Sequence, residues 1–520
     1  MAAIATIVAG MSAVTAKAAD APDPLLDLMV KKGIVTQDEA DKVKAEADAM
    51  RTNEVSAIDS ASRWKITKGL KNIGIYGDLR LRYEDRTAQD PSGGKIDLNR
   101  LRAAVRLGLH GEAYDSFYYG VRLDTSGNPR SAWYTLGSSS SGSPYNGPFG
   151  KSTAGLNIGQ VYLGWKPASW YDMTLGKMPM PLYTTPMVWD SDYNPEGAAE
   201  HLHYTVGQAE LWGNFGQFIY ADQNPTTASG GLGINGLTGA NNSSIFQLAW
   251  QGGFTYHFTT NFSAKAGATL YKYIGLHRSS ATSGATTSPF FGDPFVGEGA
   301  YLGPGTGTHN GASGFGTSSS LPGNMSLGFP NNQVGLDHLT VLEVPFEFNY
   351  RICDTLDSRL FGDFAYNFDG KKRAEAAAAG YATYLSNAGS PLTPFSPQKN
   401  EVKAYQIGLS IASRDNIGLV SGSTSHRHGW EVRGYWQHVE QYALDPNLLD
   451  SDFFEGRGNL EGFYLAAAYG LTDNVIATFR YGYATRINDK IGTGGSNQDI
   501  PQVNPIDKFN LLQLDLTLRF

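Results

Sequence analysis

Hydrophobic and polar residues alternate with a period of two along most of the chain from residue 73 onward. Successive side chains of a β-strand point to opposite faces, so each such strand has an apolar face and a polar face. In the first segment, one face carries Ile73, Ile75, Leu79, Leu81 and Tyr83, and the other carries Tyr76, Asp78, Arg80, Arg82 and Glu84. The pattern predicts sixteen strands, over residues 73–84, 100–110, 117–124, 156–166, 172–179, 198–206, 208–221, 246–256, 262–273, 340–350, 357–368, 401–412, 428–440, 460–470, 474–486 and 508–520.

The connections between these segments alternate between short and long. Residues 112–116 and 471–474 are short turns, whereas 274–336 and 369–400 are long. Short periplasmic turns and long extracellular loops are typical of outer-membrane β-barrels. One connection on the short-turn side, 413–427, is too long for this rule, which leaves open an error in the strand assignment.

A soluble β-sandwich is the alternative fold, because its strands would alternate as well. Here the polar face carries repeated arginines and glutamates, and aromatic residues cluster at strand ends as in membrane girdles. We therefore expect an all-β fold, a transmembrane antiparallel β-barrel of about 16 strands over residues 66–520, with a short N-terminal helical segment. An even strand number would bring both chain ends to the periplasmic side.

Composition agrees with a barrel wall. The chain has 520 residues, of which 62 are glycine and only 17% are charged, and its mean hydropathy is −0.29. Only every second wall residue of a barrel meets lipid, so the average stays polar. After the N-terminus, no apolar run reaches the roughly 18 residues of a spanning helix. The net charge of −8 argues against a nucleic-acid partner.

The N-terminal region predicts export. Residues 1–18 have the apolar stretch and the Ala16-Lys17-Ala18 cleavage motif of a signal peptide, but the basic start is missing, which suggests a truncated signal. Residues 19–65 are predicted to be a periplasmic helical segment and linker, since apolar residues within 24–51 recur at helical spacing. This segment is either a small helical hairpin or a periplasmic anchor or oligomerisation element.

Arginines recur on the predicted lumen face of the early strands. They are Arg80, Arg82, Arg100, Arg102, Arg106 and Arg122. A lipid-facing arginine costs about 2–4 kcal/mol at mid-depth, whereas a solvated lumen holds the charge cheaply. Two interpretations remain. The arginines belong to a generic solvated wall with local ion pairs, or they form a positive ladder at the constriction that concentrates anions.

Carboxylates follow the fifth predicted strand. Asp190, Asp192 and Glu196 lie in a segment that could fold into the pore as a constriction and set a transverse field against the arginines. An ordinary solvated loop is the other interpretation. Asp190, Asp192 and Asn194 also suggest a Ca²⁺ site, although the glycine and glutamate of an EF-hand are absent.

Catalytic and cofactor motifs are missing from the sequence. His201 and His203 share a face of one strand, but two histidines do not complete a metal site. The sequence contains no nucleophile elbow, phosphate-binding loop or zinc-protease helix. We therefore expect no enzymatic activity and no cofactor.

Several segments resemble the putative porins of Gram-negative outer membranes. They are residues 25–40, the first-strand sequence Gly77–Glu84, the Asp-Tyr-Asn-Pro-Glu-Gly segment at 192–197, and the terminal Leu-Asp-Leu-Thr-Leu-Arg-Phe. The similarity extends over most of residues 25–520. It implies a porin of about sixteen strands that forms a homotrimer, and it implies no particular solute.

These observations predict an outer-membrane porin. Its water-filled channel would pass small hydrophilic solutes by passive diffusion, with a preference for anions set by the arginines. Its partners would be outer-membrane lipid, the solutes, two further copies of the chain and the outer-membrane barrel assembly machinery, which reads a C-terminal phenylalanine such as Phe520. The alternative is a structural barrel that ties the outer membrane to the cell wall through residues 24–51.

Overall fold

The computed structural model divides the chain into two compact units, Met1–Ile66 and Thr67–Phe520. The described residues are 32, 69–91, 93–126, 131–137, 155–221, 245–274, 339–387, 396–422, 426–493, 499–500, 503 and 505–520. The predicted signal peptide and N-terminal helical segment lie outside the described residues, apart from Lys32.

The described part of the second unit consists mainly of β-strands. They are β1 (Gly74–Gln89), β2 (Lys95–Glu112), β3 (Phe117–Ser126), β4 (Tyr134–Thr135), β5 (Gly155–Ala168), β6 (Tyr171–Lys177), β7 (Glu196–Val206), β8 (Ala209–Ala221), β9 (Ile245–Thr259), β10 (Phe262–Ile274), β11 (Thr340–Cys353), β12 (Leu356–Asn367), β13 (Lys403–Ser413), β14 (Trp430–Val439), β15 (Leu460–Gly470), β16 (Val475–Arg486) and β17 (Lys508–Arg519). The connection between β12 and β13 contains a helix, α1 (Gly370–Asn387).

The long strands form one closed antiparallel sheet. β1 pairs with β2 on one side and with β17 on the other, so the first and last strands close the barrel. β4 has only two residues and attaches to β2, which leaves sixteen long strands in the ring. The predicted sixteen-strand barrel is therefore confirmed, and closure leaves no unpaired sheet edge.

The two faces of the wall have the exposure pattern of a membrane barrel. On β1, Leu79 and Leu81 are 42% and 45% exposed, while Arg82 is 4% exposed and Glu84 is fully buried. A soluble protein has the opposite arrangement, with large apolar side chains inside and charges outside. The register pairs Leu81 with Leu516 of β17, so the apolar face continues across the closing seam.

Strand ends differ from the sequence prediction where pairing extends a strand. The predicted first strand ends at residue 84, but β1 continues to Gln89 because each further residue pairs with β2, down to Gln89 opposite Lys95. Four of these five residues are polar, so their alternation is weak, and pairing with both β2 and β17 holds them extended.

The long connection on the short-turn side is real. β13 and β14 pair in continuous register from Ala404–Val439 to Ala412–Glu431, so the strands at its two ends were assigned correctly. The connection, residues 414–429, begins beside the turn between β11 and β12 and ends beside the turn between β15 and β16.

Helix α1 was not predicted, because residues 369–400 were interpreted as a loop. Its sequence is rich in alanine, the residue with the highest helix propensity. Ala374 and Ala377 form an apolar cluster with Tyr442, which lies in the connection between β14 and β15. Among the described residues, no helix combines the length and apolar character needed to cross a membrane.

Candidate functional site

The six predicted arginines lie on the inner face of the first strands. They alternate with outward leucines and valines, such as Leu101 and Leu107, which are 49% and 47% exposed. Two of them are nearly buried, Arg82 at 4% and Arg102 at 8% exposure. The strand period alone explains the placement, because a residue two positions away returns to the same face.

Carboxylates neutralise much of this arginine wall. Arg82 donates to Asp515 of β17 at 2.7 Å and to Asp452 at 3.0 Å. The buried carboxylate of Glu84 lies 2.5 Å from Arg100 and 3.0 Å from Arg86, an arginine that the sequence prediction did not include. The wall is therefore a network of ion pairs and not a purely positive surface, because the carboxylates offset the arginine charge.

The remaining pairs extend this network along β1, β2 and β3. Their shortest contacts are Arg80–Asp78 at 2.6 Å, Arg122–Asp124 at 2.7 Å and Arg106–Asp192 at 2.5 Å. Each of the six predicted arginines thus has a carboxylate within 4.0 Å.

Arg102 is the least compensated of the six. Its nearest carboxylate is Glu84 at 3.7 Å, which already accepts shorter contacts from Arg86 and Arg100. The buried Nε of Arg102 has no hydrogen-bond partner. Trp133 lies over the guanidinium of Arg82 at 4.2 Å and is 5.9 Å from that of Arg102. A cation is attracted to the face of an indole ring, but this interaction does not neutralise its positive charge.

The connection between β6 and β7, residues 178–195, lies inside the barrel. Thr184 donates to Glu343 of β11 at 2.6 Å, and Thr185 donates to Asp363 of β12 at 2.5 Å. β11 and β12 are several strands away from β6 and β7 around the ring, so the connection crosses the lumen. Burial of Trp189 at 5% exposure agrees with an interior position.

The three predicted carboxylates of this region go to different partners. Asp192 binds Arg106, as the constriction hypothesis requires. Asp190 accepts hydrogen bonds from the backbone N–H and hydroxyl of Ser451, both at 3.1 Å. Glu196 pairs with Lys177 at 2.5 Å, so the prediction that it faces the arginines is wrong. Glu196 begins β7 opposite Lys177, and this cross-strand pairing sets its direction.

Protein donors bind the side-chain oxygens that were proposed as Ca²⁺ ligands. Asp190 accepts from Ser451, and Asp192 binds Arg106. The side-chain oxygen of Asn194 accepts from Gln160 at 2.8 Å. Each of the three side chains thus uses an oxygen to accept from a protein donor, which leaves few of the six to eight oxygens that a calcium ion takes. His201 contacts the side chain of Asn214 at 2.5 Å. Within the described residues, no group of three or more histidine, cysteine, aspartate or glutamate residues could hold a metal ion.

A second connection, residues 440–459 between β14 and β15, also crosses the lumen. Its Asp445 accepts from Tyr220 of β8 at 2.8 Å and from Tyr273 of β10 at 2.6 Å, while its Asp452 binds Arg82 of β1. Sequence reasoning missed this element. The available signal was a loop that combines several carboxylates with adjacent Phe453 and Phe454, both of which are buried.

The two crossing connections meet at a pair of carboxylates. The N–H of Asp190 donates to the carbonyl of Leu448 at 2.6 Å, and the N–H of Asp450 donates to Pro186 at 3.3 Å. Burial, followed by the negative charge of Asp452, raises the pKa of Asp450 to about 7. Burial, followed by the charge of Asp450, also raises the pKa of Asp190. The pair therefore favours a protonated state in which the connections approach without repulsion.

A third connection, residues 487–507, is fastened to the second. The fully buried guanidinium of Arg457 donates to the carbonyls of Val503 and Ile500, both at 2.7 Å. Asp499 of the same connection lies 2.6 Å from Arg100. The interior of the barrel is thus built from inward-folded connections joined to an ionic wall.

A model of the putative porin family matches residues 92–520, which is most of the barrel unit. The chain belongs to the putative porin family. Membership supports a porin role, and the location of this porin is the outer membrane of a Gram-negative bacterium. No curated protein matches its sequence.

Several solved outer-membrane proteins are similar to this porin at low sequence identity. The outer membrane channel DcaP of Acinetobacter baumannii is 10% identical, with 88% of this chain and 100% of that chain covered and a TM-score of 0.38. OpdQ of Pseudomonas aeruginosa is 11% identical, with coverages of 87% and 99% and a TM-score of 0.37. OmpT of Vibrio cholerae is 9% identical, with coverages of 88% and 100% and a TM-score of 0.37.

Proposed function

We propose that this porin passes small hydrophilic solutes by passive diffusion through a water-filled lumen. The observation that carries the proposal is the inner face itself, where charged side chains such as Arg80 and Asp78 keep part of their surface exposed inside a closed barrel. Polar linings of this kind let hydrated solutes pass without a binding cycle. No energy coupling or cofactor is required for such diffusion.

We propose a mild preference for anions. Ion pairing cancels most of the arginine charge, so selectivity rests on the cation that is compensated least, Arg102. A fixed charge beside a narrow path raises the local concentration of its counter-ions. Of the predicted carboxylates, Asp192 opposes the arginine wall through Arg106. Asp452 and Asp499 of the other inward connections oppose it as well, through Arg82 and Arg100.

Reversal potentials in a salt gradient across a planar bilayer test both parts. Wild type should conduct and show an anion preference, and Arg102→Gln should reduce the anion-to-cation permeability ratio by about twofold or more because it removes the least compensated charge. Lys95→Gln is the matched control, since Lys95 is an exposed lysine at the start of β2 on the outer face. A silent wild type would contradict the channel itself, whereas an unchanged ratio in Arg102→Gln would contradict only the selectivity mechanism.

A homotrimer is the assembly that we propose for this porin. β6 has only seven residues, Tyr171–Lys177. At about 3.3 Å per residue and a tilt of about 40°, it covers roughly 18 Å of a lipid-facing band that is roughly 25 Å tall. A neighbouring copy would cover this low part of the wall. Mass measurement in detergent should give three chains per particle, and a purely monomeric particle would contradict the proposal.

We also propose that the outer-membrane barrel assembly machinery inserts this porin. Insertion by the outer-membrane barrel assembly machinery is supported by the terminal strand β17 and by Phe520, whose backbone pairs with Gly77 of β1. The tether to the cell wall would depend on residues 24–51, of which the structure describes only Lys32.

A further inference from the structure

The connection between β13 and β14 lies on the short-turn side, yet its residues enter the barrel. Leu419 and Val420 are 1% and 6% exposed, and they belong to the interior apolar cluster together with Ile476 of β16. Periplasmic turns of outer-membrane barrels are ordinarily short and lie outside the lumen. An inward-folded connection at this end therefore needs a physical explanation.

Side chains on the inner face of β14 form hydrogen bonds that fix the position of this connection along the barrel axis. The carboxylate of Glu431 on β14 accepts from the N–H groups of Gly418 and Val420 at 3.0 and 2.8 Å. Arg433, two residues further along the same face, donates to the hydroxyl of Ser421 at 2.7 Å. Glu431 is fully buried, so the connection is a built part of the interior and not a strand end that happens to be long.

The connection reaches across the floor of the barrel to the last strands. Arg480 of β16 donates to the carbonyl of Val420 at 3.4 Å, and Arg519 of β17 donates to the carbonyl of Gly422. Arg480 is the sixth residue of β16, so its Cα lies roughly 16 Å along the strand from Val475. The connection therefore rises to within one side-chain length of the middle of the wall.

Two glycines allow the chain to turn twice inside this space. Gly418 and Gly422 have φ angles of 100° and 92°, on either side of the single 3₁₀ turn Leu419–Ser421. Only glycine adopts such angles without a steric cost. The tight double turn leaves Leu419, Val420 and Ser421 at its inner tip.

The connection also shares anchors with the extracellular side. Asp515, the acidic partner of Arg480, is bound by Arg82 as well, and Arg82 binds Asp452 of the connection 440–459. The inward turn at one end and the crossing connection from the other end thus attach to one chain of ion pairs. Both therefore lie against the same part of the wall, the strands from β14 to β1.

We propose that residues 414–422 form a second restriction of the channel, at its periplasmic end and in series with the connections that enter from outside. This inference rests on the proposed diffusion channel. Ionic resistances in series add, so a periplasmic restriction comparable to the outer one would carry about half of the total resistance. The described tip residue Ser421, which is exposed, would line the narrowed path.

Side-specific thiol labelling tests this proposal. The chain has one cysteine, Cys353, so Ser421→Cys is made in a Cys353→Ser background. A charged methanethiosulfonate reagent added to the short-turn side should lower the unitary conductance by about a third or more, since it adds bulk to the restriction. Gln208→Cys in the same background is the matched control, because Gln208 is exposed in the short turn between β7 and β8. Its labelling should leave the conductance unchanged.

A second variant widens the restriction. Leu419→Ser combined with Val420→Ser removes the apolar anchor, and the unitary conductance should rise about twofold if the two resistances are comparable. Leu471→Ser, at an exposed turn residue of the same end, is its control. If the double variant fails to assemble, the thiol experiment alone decides.

The outcomes separate this proposal from the proposed function. Unchanged current in fully labelled Ser421→Cys, confirmed by mass spectrometry, would mean that the connection only braces the barrel floor and would overturn the second restriction. Absence of current in the wild type would instead overturn the diffusion channel.

Discussion

At the scale of single residues, the lumen charges act through their partners. Glu84 is fully buried and lies within 3.0 Å of both Arg86 and Arg100. Its oxygens also accept from Gln513 of β17 at 2.8 Å. One carboxylate therefore compensates several cations, and its loss is more serious than the loss of any one arginine beside it.

Replacement of Glu84 by glutamine should raise the anion preference and weaken the barrel. Buried arginines would remain without their shared counter-charge, a situation that costs about 3–5 kcal/mol. Reversal potential and urea-induced unfolding measure the two effects, with Glu112→Gln at the exposed end of β2 as the control. A stability within about 1 kcal/mol of wild type would contradict the buried-network interpretation.

At the scale of elements, the two crossing connections form a contact that depends on pH. The raised pKa of Asp450, about 7, means that the folded contact holds a proton more tightly than the unfolded chain does. The contact is therefore strongest below the ordinary carboxyl pKa and weakens as pH rises toward and through about 7. Above that range, Asp450 carries a negative charge beside the buried carboxyl of Asp190, and this buried charge weakens the contact.

Conductance should consequently increase between pH 5 and pH 8, as the contact between residues 178–195 and 440–459 loosens. Asp450→Asn keeps the position neutral at every pH, so this variant should lose most of the pH dependence. Asp354→Asn, in the exposed turn between β11 and β12, is the control. Equal pH profiles in wild type and Asp450→Asn would rule out the carboxylate pair as the cause.

At the scale of the whole molecule, the barrel is an inside-out fold whose outer face requires lipid. Leu81 lies near the middle of β1 and Ile75 near its periplasmic end, and both face outward. The cost of a lipid-facing arginine depends on its depth in the bilayer.

In vesicles, Leu81→Arg should lower the free energy of unfolding by about 2–4 kcal/mol. Ile75→Arg should lower it by only about 0–1 kcal/mol. Urea titration of barrels folded into vesicles measures both values on the same strand. Equal losses of stability at the two positions would show that the outward face of β1, or the depth of these residues in the bilayer, is assigned wrongly.

The sequence predicted the wall well because alternation is a local property of each strand. Arg82 and Leu81 are assigned to opposite faces by their parity alone, and closure follows because β1 and β17 have matching faces. The partners of the lumen residues could not be predicted in the same way. Asp452 and Asp499 approach Arg82 and Arg100 from more than 350 residues away, as the separations of 370 and 399 residues show.

Sequence by itself therefore determined the class of fold, the outward and inward faces, and the position of most strands, since each depends on the two-residue period of the pleated backbone. Tertiary structure decided which connections enter the lumen, how far the arginine charge is neutralised, and that residues 414–422 enter it too. Glu196 illustrates the difference, because its local sequence suited a constriction while cross-strand pairing placed it beside Lys177. Such contacts join distant parts of the chain, and no local pattern records them.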